Sequence, residues 1–313
     1  MKKIITITLN PAFDIHYKMD SFEPYKENYA HSIICEAGGK GVNISRALIL
    51  NGVDNTAYIV LGEENCATFE NSLRADGLNY KPIYVNGRIR ENITLHPSDR
   101  SETRISLDNF SLSQKTLELI CDMLLAEIDE NTVIAFSGRI PKGISEDEAI
   151  GFLKKLKASG ARLAVDSNSL GVDSLRKIKP WFIKPNEHEV LSLVGDIGTD
   201  ICAAASAAKA LVNAGVSEEV MISLGGLGSV WSDGERSFAI SVPTIDSPVS
   251  TIGAGDSTIA GYIAAVASED KLEGALRLAC AFGTSACLTE GTRPPRKEDI
   301  EKIFESITVK EVN

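Results

Sequence analysis

The sequence predicts an α/β protein of three layers, with helices on both sides of a mostly parallel sheet and a small accessory β-sheet beside it. Three observations predict this. Apolar, β-branched runs alternate with amphipathic stretches over most of the 313 residues. Two turn-rich stretches, about 15–35 and 81–107, interrupt that alternation with short β-type runs. Glycine-rich turns stand where strand-like runs give way to helix-like ones. No Pro-rich linker, low-complexity tract or internal repeat divides the chain, so 1–313 reads as one domain.

The first run, 3–9, is expected as a buried strand; Asn10-Pro11 and Asp14 arrive too soon for a signal peptide. Ile44, Ala47, Leu48 and Leu50 place a helix over 41–51. A strand follows at 56–61 and a helix at 65–76. Within the second interruption, Asn92-Ile93-Thr94-Leu95 and Thr103-Arg104-Ile105-Ser106-Leu107 flank the turn-rich His96-Pro97-Ser98-Asp99-Arg100, as hairpin strands do. Over 113–127 the spacing of Leu117, Ile120, Leu124 and Ile128 is helical, with Ser111 or Ser113 available as N-cap. Strands at 132–137, 161–166, 180–184 and 219–224 are separated by helices at 145–158, 186–193 and 200–213. Three helices, 254–267, 271–289 and 296–307, close the chain.

Composition narrows the function. Thirty-two Lys and Arg against 43 Asp and Glu give a net charge of −11, which disfavours nucleic acid and anionic membranes as partners. No apolar run approaches the ~18 residues of a bilayer span. The six cysteines form no C-x-x-C and the four histidines are far apart, so neither a disulfide framework nor a zinc site is expected. Reduced thiols and a cytoplasmic location follow.

Four segments carry chemistry. In Ser250-Thr251-Ile252-Gly253-Ala254-Gly255-Asp256-Ser257-Thr258, small residues lead into an apolar helix, so backbone N–H groups and the helix dipole can hold an anion. Asp256 there is either an N-cap or a general base beside that anion. Glu36-Ala37-Gly38-Gly39-Lys40-Gly41-Val42-Asn43 also opens a helix. It fails the P-loop pattern, because Ile34 occupies the first glycine position and Gly41 follows Lys40. A close backbone approach to a polar ligand, or a tight helix entry, remains. In Lys184-Pro185-Asn186-Glu187-His188-Glu189, Asn186 and Glu189 share a helix face; they could orient a hydrated Mg²⁺ or form a capping box. Ser223-Leu224-Gly225-Gly226-Leu227-Gly228 is a strand followed by a glycine turn.

Taken together, the four segments resemble the ribokinase-like (PfkB) carbohydrate kinases across nearly the whole chain, closest to the 1-phosphofructokinase and tagatose-6-phosphate kinase branches. Thr8-Leu9-Asn10-Pro11-Ala12-Phe13-Asp14 and Gly87-Arg88-Ile89-Arg90-Glu91-Asn92 share in the match, and Gly253-Ala254-Gly255-Asp256 is its most specific signature. The resemblance implies a ribokinase-like core whose small sheet acts as a lid, with ATP and Mg²⁺ as cofactors. It implies Asp256 as catalytic base and the backbone of Gly253, Ala254 and Gly255 as the anion hole for the transferred phosphoryl group. Asp14, Gly39 and Asn43 would hold sugar hydroxyls, with Lys40 adding charge near the reacting groups and Arg90 meeting the substrate's phosphate. Lys184, Asn186, Ser223, Gly225, Gly228 and Thr251 would bind the nucleotide, with Asn186 and Glu189 holding the metal through water.

The implied reaction is transfer of the ATP γ-phosphoryl group to the 6-hydroxyl of fructose 1-phosphate. Tagatose 6-phosphate and fructose 6-phosphate are the alternative acceptors, and a noncatalytic sugar-phosphate sensor is the alternative of another class. Arg139 in Gly138-Arg139-Ile140-Pro141-Lys142-Gly143 replaces a serine common in the family, and Tyr29 stands where an arginine is frequent. Arg104 is the expected compensating charge. Ile33, Ile93, Leu95 and Ile105 give the lid an apolar face that could close over the sugar or meet a second copy of the chain.

Overall fold

The computed structural model describes residues 1–99, 102–107, 110–195 and 200–312. In chain order the elements begin with β1 (Lys3–Thr8), β2 (Ala12–Met19), β3 (Ser32–Gly38), α1 (Lys40–Leu50), β4 (Thr56–Gly62), α2 (Cys66–Ala75) and β5 (Tyr80–Val85). There follow β6 (Arg90–Pro97), β7 (Thr103–Ser106), α3 (Gln114–Leu125), β8 (Thr132–Ser137), α4 (Glu146–Ala158), β9 (Arg162–Asp166), α5 (Val172–Ile178) and β10 (Phe182–Ile183). The last part holds α6 (Glu187–Val194), α7 (Ile201–Asn213), β11 (Glu219–Ser223), β12 (Ser229–Ser232), β13 (Ser237–Ser241), α8 (Ala254–Ala267), α9 (Leu272–Ala286), α10 (Lys297–Ser306) and β14 (Thr308–Glu311).

The main sheet runs β14-β13-β12-β11-β10-β9-β8-β1-β4-β5. Pairing is parallel from β5 through β11 and antiparallel from β11 to β14. The central strands are apolar on both faces because both are covered. In β8, Val133 and Ala135 pack with Ile44 and Leu48 of α1 and with α8, α9 and α10, while Ile134 and Phe136 pack with α2, α3, α4 and α7. The α/β three-layer class is the observed one. Ser113, rather than Ser111, caps α3, accepting from the Thr116 N–H. All six cysteines are free thiols, and no described helix is long and apolar enough to cross a membrane.

The small sheet has the order β3-β2-β6-β7: two antiparallel hairpins joined by a parallel β2–β6 pair. Its limits differ from the expected insertions. Tyr80–Val85 belongs to the main sheet, as the edge strand that ends a β4-α2-β5 crossover, and an edge is where Pro82 costs no ladder bond. The first insertion is longer than expected, since pairing begins at Ala12 and ends at Gly38. Arg100, expected in the hairpin turn, lies outside the described residues. The strand expected at 180–184 shrinks to Phe182–Ile183, flanked by Pro180 and Pro185. Paired residues share a face, so Ile15, Ile93 and Ile105 lie on one side, with Ile33 and Leu95 beside Tyr17, and Asp14, Asn92 and Ser106 on the other. The apolar set is therefore turned away from Asp14.

Helices α8 and α9 pack unusually close. A Cβ on Gly261 would lie 2.7 Å from the Leu278 carbonyl oxygen and 3.0 Å from the Ala279 Cα, both backbone atoms that cannot swing aside. Gly261→Ala is expected to destabilise the protein by about 1–3 kcal/mol, read as a lower denaturant midpoint. Gly274→Ala, where an added Cβ meets nothing within 4 Å, should instead gain up to about 1 kcal/mol of helix propensity.

Candidate active site

The site lies where the parallel strands end and α1 and α8 begin, as open α/β sheets dictate. Gly253 precedes α8 with φ 79°, a left-handed conformation that glycine adopts without strain. First-turn amides of a helix have no acceptors within it, so those of α8 point into the cleft with the positive dipole end. Lys184 reinforces them. It is buried, no carboxylate among the described residues pairs with it, and a Cβ on Gly255 would come within 3.1 Å of its Nζ. Glycine at 255 is what lets the ammonium lie against the helix start.

Asp256, in that first turn, is buried and accepts a 2.8 Å hydrogen bond at Oδ2 from Asn43 Nδ2 on α1. Its side chain makes no N-cap contact; Gly253 holds the cap position. Burial raises its pKa to about 7, helped by the charge of Asp166 and opposed by Lys40, the Asn43 bond and Lys184. Lys40 Nζ donates to both oxygens of Asp166, at 3.1 and 3.0 Å. Burial works against the ammonium, but Asp166, Asp256 and Glu189 outweigh it and the Lys40 pKa is raised. A buried carboxylate at the midpoint of its titration near neutral pH can take up a proton and give it back.

The residues just before Asp256 line a cavity of about 450 Å³, formed by Lys184, Asn186, Ser223, Gly225, Gly228, Thr251, Ala254 and Gly255 and closed by Val242 to Ile245, Cys280 and Cys287. Every residue expected to bind nucleotide is here. Gly228 is indispensable to its wall: at φ 97°, a Cβ would lie 2.0 Å from the Ile240 carbonyl oxygen. Asn186 and Glu189 form a complete capping box on α6. Asn186 Oδ1 accepts from the His188 and Glu189 amides, and Glu189 Oε2 accepts from the Asn186 amide at 3.0 Å. The pair faces two adjoining cavities, Asn186 in the first and Glu189 beside Asp166 and Lys184 in the second.

The small sheet leads directly into α1, the helix that reaches Asp256 through Asn43. Asp14 accepts from Asn92 Nδ2 at 2.9 Å, and Arg90 Nη1 donates to Asn92 Oδ1 at 3.1 Å. Burial raises the Asp14 pKa despite Asn92, His16 and Arg90. The glycines seat this sheet: a Cβ on Gly38 would overlap Asp14 Oδ2 at 2.1 Å, and Gly39, at φ 121°, packs on Thr8 and Pro11. Glu36 ties the sheet to the loop before α10, accepting from Arg293 Nε at 3.3 Å and Thr292 Oγ1 at 3.4 Å.

Asn43 is thus tied to Asp256, Lys40 to Asp166, and Asp14 and Arg90 to Asn92 on the small sheet, while the expected nucleotide set shares one cavity. Arg104 stands apart. It lies on the Asp14 face of the sheet, beside Thr94 rather than Asn92, but its guanidinium is exposed and bound to Glu102 at 3.2 Å. Tyr29 is 77% exposed. Two participants were not singled out from sequence, Asp166 and Asn92. An acid ending an apolar strand, Leu163-Ala164-Val165-Asp166, was the available signal for the first.

A helix N-terminus with a buried carboxylate in its first turn, beside a cavity of about 450 Å³, is an arrangement that phosphoryl transfer to an alcohol can use. Comparison with known proteins agrees. The chain belongs to the PfkB family, whose model, pfkB family carbohydrate kinase, matches residues 5–299. It is 32% identical over 292 residues to the 1-phosphofructokinase of Xanthomonas campestris, covering 91% of each chain. It is 30% identical over 310 residues to that of Borreliella burgdorferi, covering 99% of each. Among solved structures, Escherichia coli phosphofructokinase-2 in complex with substrates and products superposes with a TM-score of 0.89 at 25% identity, over 97% of this chain and 99% of the other. The protein is a sugar-phosphate kinase, and its family implies ATP as cosubstrate.

Because the folded pKa of Asp256 is raised from 3.8 to about 7, its stabilising protonated form is intact below about pH 4 and lost as the pH rises through 7. Asp256→Asn keeps an acceptor for Asn43 and never ionises. Its stability relative to the parent should rise by roughly 2–3 kcal/mol between pH 5 and pH 8, measured by denaturant unfolding at both.

Proposed function

We propose that this chain transfers the γ-phosphoryl group of ATP to the 6-hydroxyl of fructose 1-phosphate, giving fructose 1,6-bisphosphate. The observation that carries the reading is Asp256, buried in the first turn of α8 beside Ala254 and Gly255, which line the 450 Å³ cavity, and bonded to Asn43 on the helix that follows the small sheet. Relatives named 1-phosphofructokinase over 91–99% of the chain supply the acceptor. So complete a constellation supports an enzyme over a binding protein that only senses sugar phosphate.

In this reading the Asp256 carboxylate accepts the hydroxyl proton. The oxygen forms a bond to the γ-phosphorus as the bond to the bridging oxygen breaks, and ADP leaves with that electron pair. The amides of Gly253, Ala254, Gly255 and Asp256, with Lys184 and Lys40, stabilise charge on the group in transit. Asp14, Gly39 and Asn43 hold the sugar hydroxyls, and Arg90 meets the phosphate the substrate already carries. Glu189 fits a hydrated Mg²⁺, one carboxylate oxygen being left outside the capping box beside a cavity that Asp166 also lines, whereas Asn186, whose Oδ1 is taken by two amides and whose free Nδ2 is a donor, would instead reach a phosphate oxygen. No three His, Cys, Asp or Glu among the described residues could hold an ion by themselves, so waters and the triphosphate would complete its shell. Bound there, Mg²⁺ would neutralise phosphate charge. The apolar outer face of the small sheet would meet a second copy of the chain.

ADP release measured in parallel with fructose 1-phosphate, tagatose 6-phosphate and fructose 6-phosphate should give the highest kcat/KM for the first; a higher value for another transfers the assignment to it. Asp256→Asn should lower kcat about 10²- to 10⁴-fold with little change in sugar KM. Light scattering is expected to give a dimer mass, reduced to monomer by Ile33→Asp with Ile105→Asp.

A further inference from the structure

We infer that Arg139 is a second ligand of the acceptor's phosphate and, with Arg90, sets specificity for phosphorylated over neutral ketohexoses. The inference rests on the sugar-phosphate reading and assigns the residue that departs from the family's serine.

Each arginine lies at or just beyond one end of a strand that pairs in parallel with a neighbour. β8 runs parallel to β1 with Phe136 opposite Ile7. Arg139 follows the end of β8 by two residues, as Asn10 follows the end of β1. Two residues further, Ala12 pairs with Arg90 in the small sheet. Gly138, at φ 109°, turns the chain at that point, with its amide bound to the Asp166 carbonyl oxygen at 2.9 Å. The Arg139 charge lies near enough to act on the Arg90 guanidinium.

Neither has a counter-ion of its own. Arg90 makes one side-chain hydrogen bond, to the neutral Asn92, and its Nε is buried with no partner. Arg139 has no hydrogen bond or ion pair among the described residues, and it is exposed. Burial, and then the nearby charge of Arg139, lower the Arg90 pKa, while Asp14 opposes the shift. Two like charges brought together with an unsatisfied buried donor cost free energy in the empty site. A phosphate monoester dianion offers acceptor oxygens to both forks and removes that cost. The serine of the family pattern offers a single neutral hydroxyl. A neutral hexose would leave both cations uncompensated, so the arginine pair selects against it as well as for the phosphate.

The test compares the parent with Arg139→Ala and Arg139→Lys. Arg139 is exposed and packs in no core, so the variants should fold normally. With the best ketohexose phosphate, Arg139→Ala should raise sugar KM about 10- to 100-fold, leaving kcat and the KM for ATP within a few-fold; Arg139→Lys should fall between. The KM for unphosphorylated fructose, where measurable, should not rise. As a readout independent of turnover, inorganic phosphate titrated in the presence of ADP should raise the Tm of the parent more than that of Arg139→Ala. An unchanged sugar-phosphate KM overturns the assignment, as does an equal rise in the KM for ATP. If no ketohexose phosphate is turned over by the parent but the phosphate-induced Tm shift still depends on Arg139, the substrate reading falls and the anion clamp stands.

Discussion

The burial of one ionisable carboxylate governs this architecture. Asp256 can be kept at the mouth of the sheet only because α8 starts on a left-handed glycine and Asn43 reaches it from α1. Lys40 and Asp166 form an ion pair beside it that adds opposing fields of comparable standing. Each of these needs its own support. The Gly38 to Gly41 turn must lie flat on β1, where a Cβ at Gly41 would come within 2.4 Å of Thr8 Oγ1. Helix α8 is held in place from behind by the close contact of Gly261 with α9. The core on that face of the sheet, from Ile44 to Ile303, holds two helix starts at a fixed separation across the cleft.

The proposed site divides into a nucleotide half and an acceptor half of different construction. The nucleotide half is made of strand ends and helix starts within the main body, linked by backbone bonds such as the Ser223 amide to the Pro185 carbonyl oxygen at 3.1 Å. The acceptor half stands on a four-stranded sheet reached through Leu9 to Pro11 and left through Gly38 and Gly39. Beyond its root it is fastened to the body by Glu36 with Thr292 and Arg293. Polar side chains on that sheet are organised in rows across strands, Asp14 with Asn92 and His16 with His96 at 2.8 Å, so neighbours in space are distant in sequence.

This difference explains what could be read from the chain. Glycine clusters mark backbone demands and are local, so the turns at 38–41, 225–228 and 253–255 were legible, and the start of α8 was placed at Ala254. The parallel core was legible because its strands are continuous apolar runs. Tyr80–Val85 was misplaced because an edge strand with a proline resembles an insertion until its pairing is known. The antiparallel strands β12, β13 and β14 and the short helix α5 carry weak local patterns and are set by tertiary pairing. Asp166 escaped because its importance lies in distances to Lys40 and Asp256, 126 and 90 positions away in the chain, which no spacing rule expresses. Arg104 misled for the opposite reason: Glu102, two residues away, captures a charge that the pattern had free.

The capping box on α6 bears on how such a protein can change over evolutionary time. Asn186 and Glu189 use part of each side chain to start a helix and turn the rest toward the two cavities beside Lys184. A substitution that alters what the cavities present also frays the helix, so drift at either position is penalised twice. The small sheet carries little of this double duty: residues such as Arg104 or Tyr29 can vary while the core stays packed. Sequence change is therefore most readily absorbed on the sheet, while change at Asn186 or Glu189 is constrained by the helix they start.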